Sequence, residues 1–448
     1  MKKINIIVCV ALLLVASTVF NGYQAEAYYP DKPMNISVTF NNDTRTEKNF
    51  TWITRNLSDK RPVVVVQEAA GGRERVYTGT SETVTGRRSY LSDPAQFNGV
   101  SNFITFKVNK VTVTGLKPDT KYTYYCGDGS VGNWSDKYSF ETGAPSGGFT
   151  FLYLTDTQAE TISEFRAWNN SSERAFNAFP DAKFVAVTGD LVERGSSQNH
   201  WDSFFYYGSR LLSNMTVVPV IGNHETDSGP HHYTKHFSFP DKNRGPADYI
   251  YAFDYGNARF IALSTEKTYA ALTSSDENIR KEANQFLDDQ IKWLREVVTK
   301  DPKKWNIVLI HKAIYTGGWY EYSNECQYYR DKLAPVFDEL SIDAVLQGHA
   351  HTYDRGFIYK GKTVPGVTGD SVSAVKKNGT VYLTANSAGM KFYDAAPTRP
   401  LYLLRNAQPW TQIYMRVAVT DNYMKFDAYS VAVREKDMLY DTFTLYKY

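Results

Sequence analysis

The sequence predicts a two-part protein, an all-β sandwich followed by a layered α/β domain. Up to about residue 142 the chain shows short alternating strands separated by turn residues, a pattern typical of a β-sandwich. Beyond a linker rich in Gly, Pro and Ser, near-continuous apolar runs alternate with helical patterns, which predicts strands buried on both faces between helices. We therefore place the sandwich at residues 28–145 and the α/β domain at residues 149–448.

The first 27 residues are predicted to be a cleavable export signal. Lys2 and Lys3 precede an apolar run at residues 6–20, and small residues around Glu26 form a cleavage pattern. This run is short for a membrane span. We expect a secreted chain, extracellular or periplasmic, that has no membrane anchor after cleavage.

Charge and cysteine content limit the partners and the disulfide bonding. The chain has 50 basic and 48 acidic residues, a formal net charge of +2, and removal of the signal takes away two lysines and one glutamate. This balance gives no electrostatic case for a nucleic-acid partner or a membrane surface. Cys126 and Cys326 remain after cleavage, far apart in sequence, and we expect two unpaired, buried thiols.

The first part has strand patterns at residues 35–40, 50–54, 62–67 and 103–108. Residues 115–122 read Gly-Leu-Lys-Pro-Asp-Thr-Lys-Tyr, which resembles a corner of fibronectin type III domains. In those domains the tyrosine packs beneath the turn, so Tyr122 is expected there and Trp52 in the core. No residue of this part shows a catalytic pattern, and we predict a structural or docking role.

The second part alternates buried strands with helices. Helical spacing is found at residues 161–178 and 286–298, and three alternating segments between residues 413 and 446 are expected to complete the second sheet as antiparallel strands. The apolar runs that predict the buried strands lie at residues 149–154, 184–187, 217–221, 260–263, 307–310 and 344–346.

Polar residues able to bind metal ions follow directly after five of these runs. Sites in open α/β sheets form outside the carboxyl ends of the strands. Two carboxylates, one amide oxygen and three imidazoles, with no thiolate, suit two divalent ions such as Fe, Zn or Mn. A lone aspartate there is usually a helix cap and a lone histidine often a buried polar residue, so the ordered set is what predicts a two-metal hydrolase. Its members are Asp156, Asp190, Asn223, His311, His349 and His351.

This ordered set is similar to that of the calcineurin-like metallophosphoesterases. The chain resembles the purple acid phosphatase branch in its fibronectin-like first part. It also shares motifs with that branch at Trp201-Asp202, residues 222–225, residues 290–294 and residues 348–355. The resemblance implies a four-layer αββα domain that binds two divalent metal ions and acts on a small phosphorylated substrate.

The resemblance also implies roles for the ligands. Asp190 would bridge the two ions, and a hydroxide held by the pair would attack phosphorus. His224 would donate a proton to the leaving oxygen or contact the phosphate. The remaining ligands would form two sets, Asp156 with His351 and Asn223 with His311 and His349.

Three residues bear on how far the resemblance extends. Purple enzymes have a coloured iron–tyrosinate ligand where this chain has Glu193, so we expect no purple chromophore. Residues 189–195 resemble Ser/Thr protein phosphatases, in which an arginine clamps phosphate; Arg194 is therefore a candidate catalytic residue, the alternative being a structural ion pair with Glu193. Gln158 stands where many relatives have a histidine ligand, and its carbonyl or a water would fill that position.

Four further histidines, His200, His231, His232 and His236, are expected in exposed loops, with a place in the substrate pocket as the alternative. The leading functional hypothesis is a phosphomonoesterase. Phosphodiester or nucleotide hydrolysis on the same metals is the close alternative, and a non-catalytic surface binding protein is the alternative from another class. The oligomeric state is left open.

Overall fold

The computed structural model describes residues 32–88, 102–226, 231–432 and 436–448. The expected signal at residues 1–27 lies outside these ranges. None of the helices in the described ranges is long and apolar enough to cross a membrane.

The first part of the chain is a β-sandwich, as predicted. One of its sheets has the order β1-β2-β6-β5 and the other β4-β3-β7-β8. Trp52 is buried between them, and the Tyr122 hydroxyl accepts a hydrogen bond of 2.8 Å from the Lys117 N–H, which is the expected fibronectin-like corner. The strands are β1 (Met34–Phe40), β2 (Lys48–Thr54), β3 (Val63–Glu68), β4 (Arg75–Thr78), β5 (Thr80–Arg87), β6 (Phe103–Val113), β7 (Lys121–Gly127) and β8 (Tyr138–Glu141).

The second part is a layered α/β domain in which every predicted apolar run forms a strand. Its strands are β9 (Phe149–Leu154), β10 (Phe184–Thr188), β11 (Thr216–Val220), β12 (Tyr251–Tyr255), β13 (Ala258–Ala262), β14 (Trp305–Lys312), β15 (Ala344–Gly348), β16 (Tyr353–Tyr359), β17 (Lys362–Thr363), β18 (Ser373–Val375), β19 (Thr380–Ala385), β20 (Arg405–Ala407), β21 (Ile413–Val419), β22 (Tyr423–Ser430) and β23 (Met438–Tyr446). Its helices are α1 (Ile162–Ala178), α2 (Gln198–Tyr207), α3 (Ser209–Leu212), α4 (His231–His236), α5 (Thr268–Thr273), α6 (Glu277–Lys300) and α7 (Asn324–Glu339).

Two sheets lie between outer helices in this part. Strands β9, β10 and β11 are parallel in one sheet, and β13, β14, β15 and β19 are parallel in the other. The second sheet packs on α6 and α7 through an apolar cluster that includes Leu294 and Phe337. Helix α1 begins with a capping box, in which the Thr161 side chain accepts from the Glu164 N–H, and it buries Phe165 and Trp168.

The three strands predicted between residues 413 and 446 form, but they join the sheet that contains β9 and not the second sheet. Strand β21 pairs antiparallel with β9, and β22 and β23 follow it, so the tail extends the first sheet and not the second. The alternating pattern predicts antiparallel strands but carries no information about which sheet edge receives them.

The sandwich and the α/β domain share one sheet, which the sequence does not predict. Strand β1 pairs parallel with β11, with Thr39 opposite Val217, and this joins four sandwich strands to seven others in an eleven-stranded sheet. Polar contacts reinforce the junction. The Lys48 ammonium donates to the Thr216 hydroxyl at 2.9 Å, and the hydroxyl of Tyr124 donates to a backbone carbonyl at 2.8 Å.

Both remaining cysteines are free and buried, which confirms the prediction of two unpaired thiols. Cys126 lies in the sandwich core and Cys326 on α7. Burial raises the pKa of the Cys126 thiol to about 12 and that of Cys326 to about 11. Both side chains therefore behave as small apolar groups.

The exposed-loop prediction is wrong for two of the four histidines. His200 is fully buried on α2, and neither of its ring nitrogens has a hydrogen-bond partner among the described residues. His236 ends α4 and is buried with its ring 4.8 Å from that of Trp201. His231 is exposed and His232 is half-buried on the same helix. Because residues 231–236 form a helix and not a loop, one of its faces is turned into the core.

Acid should destabilise the protein through His200. Burial, with a smaller contribution from the Arg194 charge, lowers the pKa of His200 from 6.5 to about 4. Between these two values the unfolded chain takes up a proton that the folded chain does not, so stability falls as the pH falls from 6.5 towards 4. We expect His200→Gln to remove a slope of up to about 1.4 kcal/mol per pH unit.

The measurement is denaturant unfolding at several pH values across this interval, in which the slopes of the two proteins are compared. His236 is also buried, and its lowered pKa contributes a slope of the same sign that the variant retains. Identical slopes in the wild type and in His200→Gln would show that His200 takes up no proton on unfolding.

Candidate metal centre

All six predicted ligands lie at one edge of the two sheets. Each follows, or ends, a strand whose carboxyl end points to this edge. The strands and the residues that they place are β9 with Asp156, β10 with Asp190, β11 with Asn223, β14 with His311, and β15 with His349 and His351.

Four of the six surround one point. Ligand atoms of Asp190, His311 and His349 lie within 4.8 Å of one another. The Nε2 atom of His311 is 3.1 Å from Asp190 Oδ2 and 3.1 Å from Asn223 Oδ1. This group holds one carboxylate, one amide oxygen and two imidazoles, a donor set that suits Zn or Fe.

The other two residues form a second group beside the first. Asp156 Oδ1 lies 3.3 Å from His351 Nε2. The Asp156 carboxylate also accepts the backbone N–H of His349, at 2.9 and 3.0 Å. The two histidines that flank Ala350 therefore lie in different groups, as the resemblance implies.

The backbone at this edge is held in an unusual conformation. Positive φ angles are found at Asp156 (53°), Asp190 (49°), His349 (69°) and His351 (51°). Residues other than glycine rarely adopt this left-handed region. Such strain, of the order of 1 kcal/mol or more per residue, persists only where the surroundings enforce it and concentrates at functional sites.

Close packing at this edge explains why the motif at residues 348–355 begins with a glycine. A Cβ atom on Gly348 would lie 2.8 Å from Asp156 Oδ2 and equally close to the Thr188 carbonyl oxygen. Any side chain at position 348 would therefore separate β15 from β9 and β10. The glycine allows the two groups of ligands to approach each other.

Two imidazoles have a defined tautomer that fits metal binding. The His311 Nδ1–H donates to the Thr188 carbonyl at 2.9 Å, and the His351 Nδ1–H donates to the Lys391 carbonyl at 2.7 Å. In both rings Nδ1 carries a proton, so Nε2 is the nitrogen that faces the carboxylates and is placed to bind a metal ion. Backbone carbonyls orient metal-binding histidines in this way in known sites.

The electrostatics of the edge favour a cation. Although burial opposes both shifts, the pairing of Asp190 with His311 lowers the pKa of the carboxyl and raises that of the imidazole to about 10. Burial and the His311 charge lower the pKa of His349. The negative field that holds a proton on His311 is also the field that attracts a metal ion, which displaces that proton.

Glu225 is a site residue that the sequence analysis gave no role, although it ends the motif at residues 222–225. It is fully buried. Its carboxylate accepts the backbone N–H groups of Asp190 at 2.9 Å, Gly222 at 2.8 Å and Leu191 at 2.9 Å. Glu225 thereby fixes the turn that presents the Asp190 side chain.

His224 lies next to the first group. Its backbone N–H donates to Asp190 Oδ1 at 3.0 Å, and its Nδ1–H donates to the Glu193 carbonyl at 2.6 Å. Its Nε2 atom is 2.7 Å from Gln158 Nε2 and 3.8 Å from Asp190 Oδ2. Gln158 Oε1 is buried and has no hydrogen-bond partner among the described residues, an orphaned oxygen that fits the carbonyl role predicted for this side chain.

Arg194 lies outside the cluster of ligands. Its Nε–H donates to Glu160 Oε1 at 3.2 Å, and the side chain is 56% exposed. The predicted alternative, an ion pair of Arg194 with Glu193, is therefore wrong. A phosphate contact from Arg194 stays a prediction.

Glu193 pairs instead with Lys391, which the sequence analysis missed. The two residues orient two imidazoles through their backbones, since the Glu193 carbonyl holds His224 and the Lys391 carbonyl holds His351. We call the Glu193–Lys391 pair the loop clamp. It ties the loop after β10 to the loop after β19, a contact between distant segments that has no signature in sequence spacing.

Comparison with known proteins identifies the families that the two parts of the chain match. Residues 149–353 match the calcineurin-like phosphoesterase family, and residues 33–142 match the N-terminal domain of purple acid phosphatases. Purple acid phosphatase 23 of Arabidopsis thaliana is 24% identical over 371 residues, which are 72% of this chain and 74% of that protein. Purple acid phosphatase 21 of the same plant is 27% identical over 307 residues, 62% of each chain. The chain thus spans about two thirds of the length of these relatives.

Solved structures show the same fold. The purple acid phosphatase PPD1 from yellow lupin (Lupinus luteus) seeds has a TM-score of 0.74 at 19% identity and covers 94% of this chain and 75% of its own. The structure of PhoD has a TM-score of 0.60 at 12% identity and covers 92% of this chain and 90% of its own.

Residues 149–353 therefore belong to the calcineurin-like phosphoesterases, a family of metal-dependent phosphoric ester hydrolases with a dinuclear metal centre. Within that family the N-terminal match and the relatives assign the chain to the purple acid phosphatase-like branch. The family membership confirms the resemblance predicted from the ligand series. It leaves the identity of the metals, the substrate and the role of each residue to be proposed.

The loop clamp should support metal binding. We expect Glu193→Ala and Lys391→Ala each to weaken Mn²⁺ binding by about 10-fold, because each change frees the loops that orient His351 and His224. The double variant should bind no more weakly than either single variant, since the ion pair is already broken. Binding is measured by titration calorimetry of the metal-free protein.

The matched control is Glu82→Ala, which breaks an exposed ion pair with Lys235 of 2.6 Å and should leave Mn²⁺ binding unchanged. Exchanging the charges, with Glu193→Lys and Lys391→Glu together, should restore part of the affinity. Strictly additive losses in the double variant would argue against a clamp.

Proposed function

We propose that the protein is an exported two-metal phosphomonoesterase that hydrolyses the O–P bond of a small phosphorylated substrate. The observation that carries the proposal is the convergence of two carboxylates, one amide oxygen and three imidazoles on one edge of the sheets. In this proposal Asp190 would contribute to holding both of two divalent ions, of Fe, Zn or Mn. Asp156 and His351 complete one site, and Asn223, His311 and His349 complete the other.

When bound, two such cations lower the pKa of water and neutralise negative charge on the phosphoryl oxygens. The chain's own residues hold this chemistry in place. The hydrogen bonds from the Nδ1–H groups of His311 and His351 to backbone carbonyls prevent these rings from turning. The N–H groups of His349 and His224 hold the Asp156 and Asp190 carboxylates in turn.

His224 is the proposed proton donor to the leaving oxygen. Its Nδ1–H is fixed by the Glu193 carbonyl, so the Nε2 atom faces the ligand cluster. A protonated Nε2 can donate to the leaving oxygen or to a phosphoryl oxygen, and Gln158 lies within hydrogen-bond distance of that atom. Arg194 is proposed as a second phosphate contact, which requires its exposed side chain to leave Glu160.

Export and domain organisation complete the proposal. We propose that residues 1–27 are a cleaved signal, that residues 28–145 form the sandwich domain and that residues 149–448 form the catalytic domain. The two family matches, at residues 33–142 and 149–353, support this division.

Asp190→Asn should abolish hydrolysis while the fold is kept. The asparagine still offers an acceptor to the His224 N–H but removes the bridging charge, and we expect the loss in kcat/KM to exceed about 100-fold. Hydrolysis is measured on Mn²⁺-loaded, exported protein with a panel of phosphate mono- and diesters. The N-terminus of the exported protein is sequenced to test the proposed signal cleavage. The matched control is Asp427→Asn, a buried aspartate of β22 that accepts from Thr442 at 2.7 Å. Full activity in the Asp190 variant would refute the two-metal assignment, and a preference for diesters would replace the monoesterase proposal.

The iron-loaded protein should show no tyrosinate charge-transfer band. A carboxylate at Glu193 cannot supply the phenolate that gives purple enzymes their colour, and here it is held by Lys391. Glu193→Tyr is expected to gain visible absorbance after loading with Fe(III). A band in the wild type would contradict this and would point to Tyr393, whose ring lies 4.7 Å from that of His351.

A further inference from the structure

An exposed tryptophan borders the metal centre. Trp319 is 53% exposed, and its ring centroid lies 5.4 Å from that of His349. Tyr320, next in the chain, is buried with its ring 4.4 Å from the same imidazole. The chain thus covers one side of His349 with a buried ring and leaves the larger indole open to solvent, where it buries little of its own apolar surface.

A second exposed ring stands opposite. Tyr393 is 37% exposed, and its ring lies 4.7 Å from that of His351. The rings of Trp319 and Tyr393 are 5.6 Å apart and nearly perpendicular, at 78°. Each of the two rings therefore lies beside an imidazole of a different ligand group. We call Trp319 and Tyr393 together the aromatic rim.

The rim is held in place before any substrate arrives. Gly318 has a φ of 137°, and a Cβ on it would lie 2.8 Å from the Asp394 carbonyl oxygen, so the Trp319 loop packs closely on the Tyr393 loop. The Gln408 amide donates to the carbonyls of His351 at 2.7 Å and Tyr393 at 2.6 Å. Rings fixed in this way lose little conformational entropy when a ligand stacks on them.

The position of the rim determines what it can contact. The phosphoryl group of a substrate would be held by the ligand cluster, so the rest of the ester has to extend past the residues that border this cluster. Trp319 and Tyr393 present π-faces and edges at this border. Planar rings stack on such surfaces without needing a particular pattern of hydrogen bonds.

We propose that the aromatic rim binds a planar aromatic group of the substrate, either a nucleobase or a benzyl-type ring, and thereby selects aromatic over aliphatic phosphate esters. This inference rests on the proposed function. It assigns to Trp319 and Tyr393 a role in specificity, while the ligand cluster carries out the hydrolysis.

The test compares esters that share a leaving oxygen and differ in the ring. Adenosine 5′-monophosphate is paired with ribose 5-phosphate, and benzyl phosphate with butyl phosphate. We expect the Mn²⁺-loaded wild type to favour the aromatic member of at least one pair by about 10-fold in kcat/KM, through KM. Preference within the first pair assigns a nucleobase, and preference within the second alone assigns a simple aryl group.

Trp319→Ala should reduce the preferred ratio to near one, and Trp319→Phe should restore part of that ratio. The control variant is Tyr206→Ala, which removes a 71% exposed ring on α2. Equal ratios in the wild type, or a ratio that survives Trp319→Ala, would overturn the inference while the proposed function stands.

Failure of the proposed function gives a different result. If the wild type hydrolyses none of the four esters, the proposed function fails. Equilibrium binding of the same esters to Mn²⁺-loaded protein then tests whether the aromatic rim binds an aromatic group. Tighter binding of an aromatic ester that is lost in Trp319→Ala supports the rim, and equal binding of both members of each pair refutes it.

Discussion

Buried negative charge at one edge of two sheets is the constraint on which the rest of the structure depends. Asp156 and Asp190 are almost completely buried, and the Glu225 carboxyl group lies behind them, with a pKa that burial and the Asp190 charge raise. Burial of carboxylates is costly unless each has partners. Here the partners are backbone N–H groups, including those of His349 for Asp156 and His224 for Asp190. Left-handed backbone conformations at Asp156, Asp190, His349 and His351 accompany this arrangement.

This arrangement separates two tasks. Residues behind the predicted ligands, such as Glu225, interact with the protein backbone and hold the turns in place. The imidazoles of His311 and His351 are each anchored through Nδ1 to a backbone carbonyl and direct Nε2 toward the carboxylates of Asp190 and Asp156. The loop clamp adds a connection between the turns. Local hydrogen bonds at the strand ends position the residues of such a site, and the two sheets bring these strand ends to a common edge.

Sequence reasoning predicts the parts of the fold that depend on local pattern. The buried strands, the helix at residues 161–178 and the placement of the six predicted ligands at one sheet edge follow from apolar runs and from the residues that end them. What it misses depends on pairing between distant segments. Lys391 meets Glu193 across 198 residues, and Glu225 acts through backbone N–H groups that no residue type announces. The burial of His200 depends in the same way on which face of a short helix meets the core.

The eleven-stranded sheet has a consequence for how this architecture can be recombined. The chain has a linker between its two parts, but the hydrogen-bonded ladder has no break there, because β1 lies beside β11. A fragment beginning at residue 149 would leave one side of Thr216–Val220 as an uncovered edge, a template for association with other chains. The sandwich thus covers the edge of β11 in addition to forming a separate module. A gene fusion that exchanged it would have to supply a strand of matching register, which restricts the shuffling of this architecture to whole two-part units.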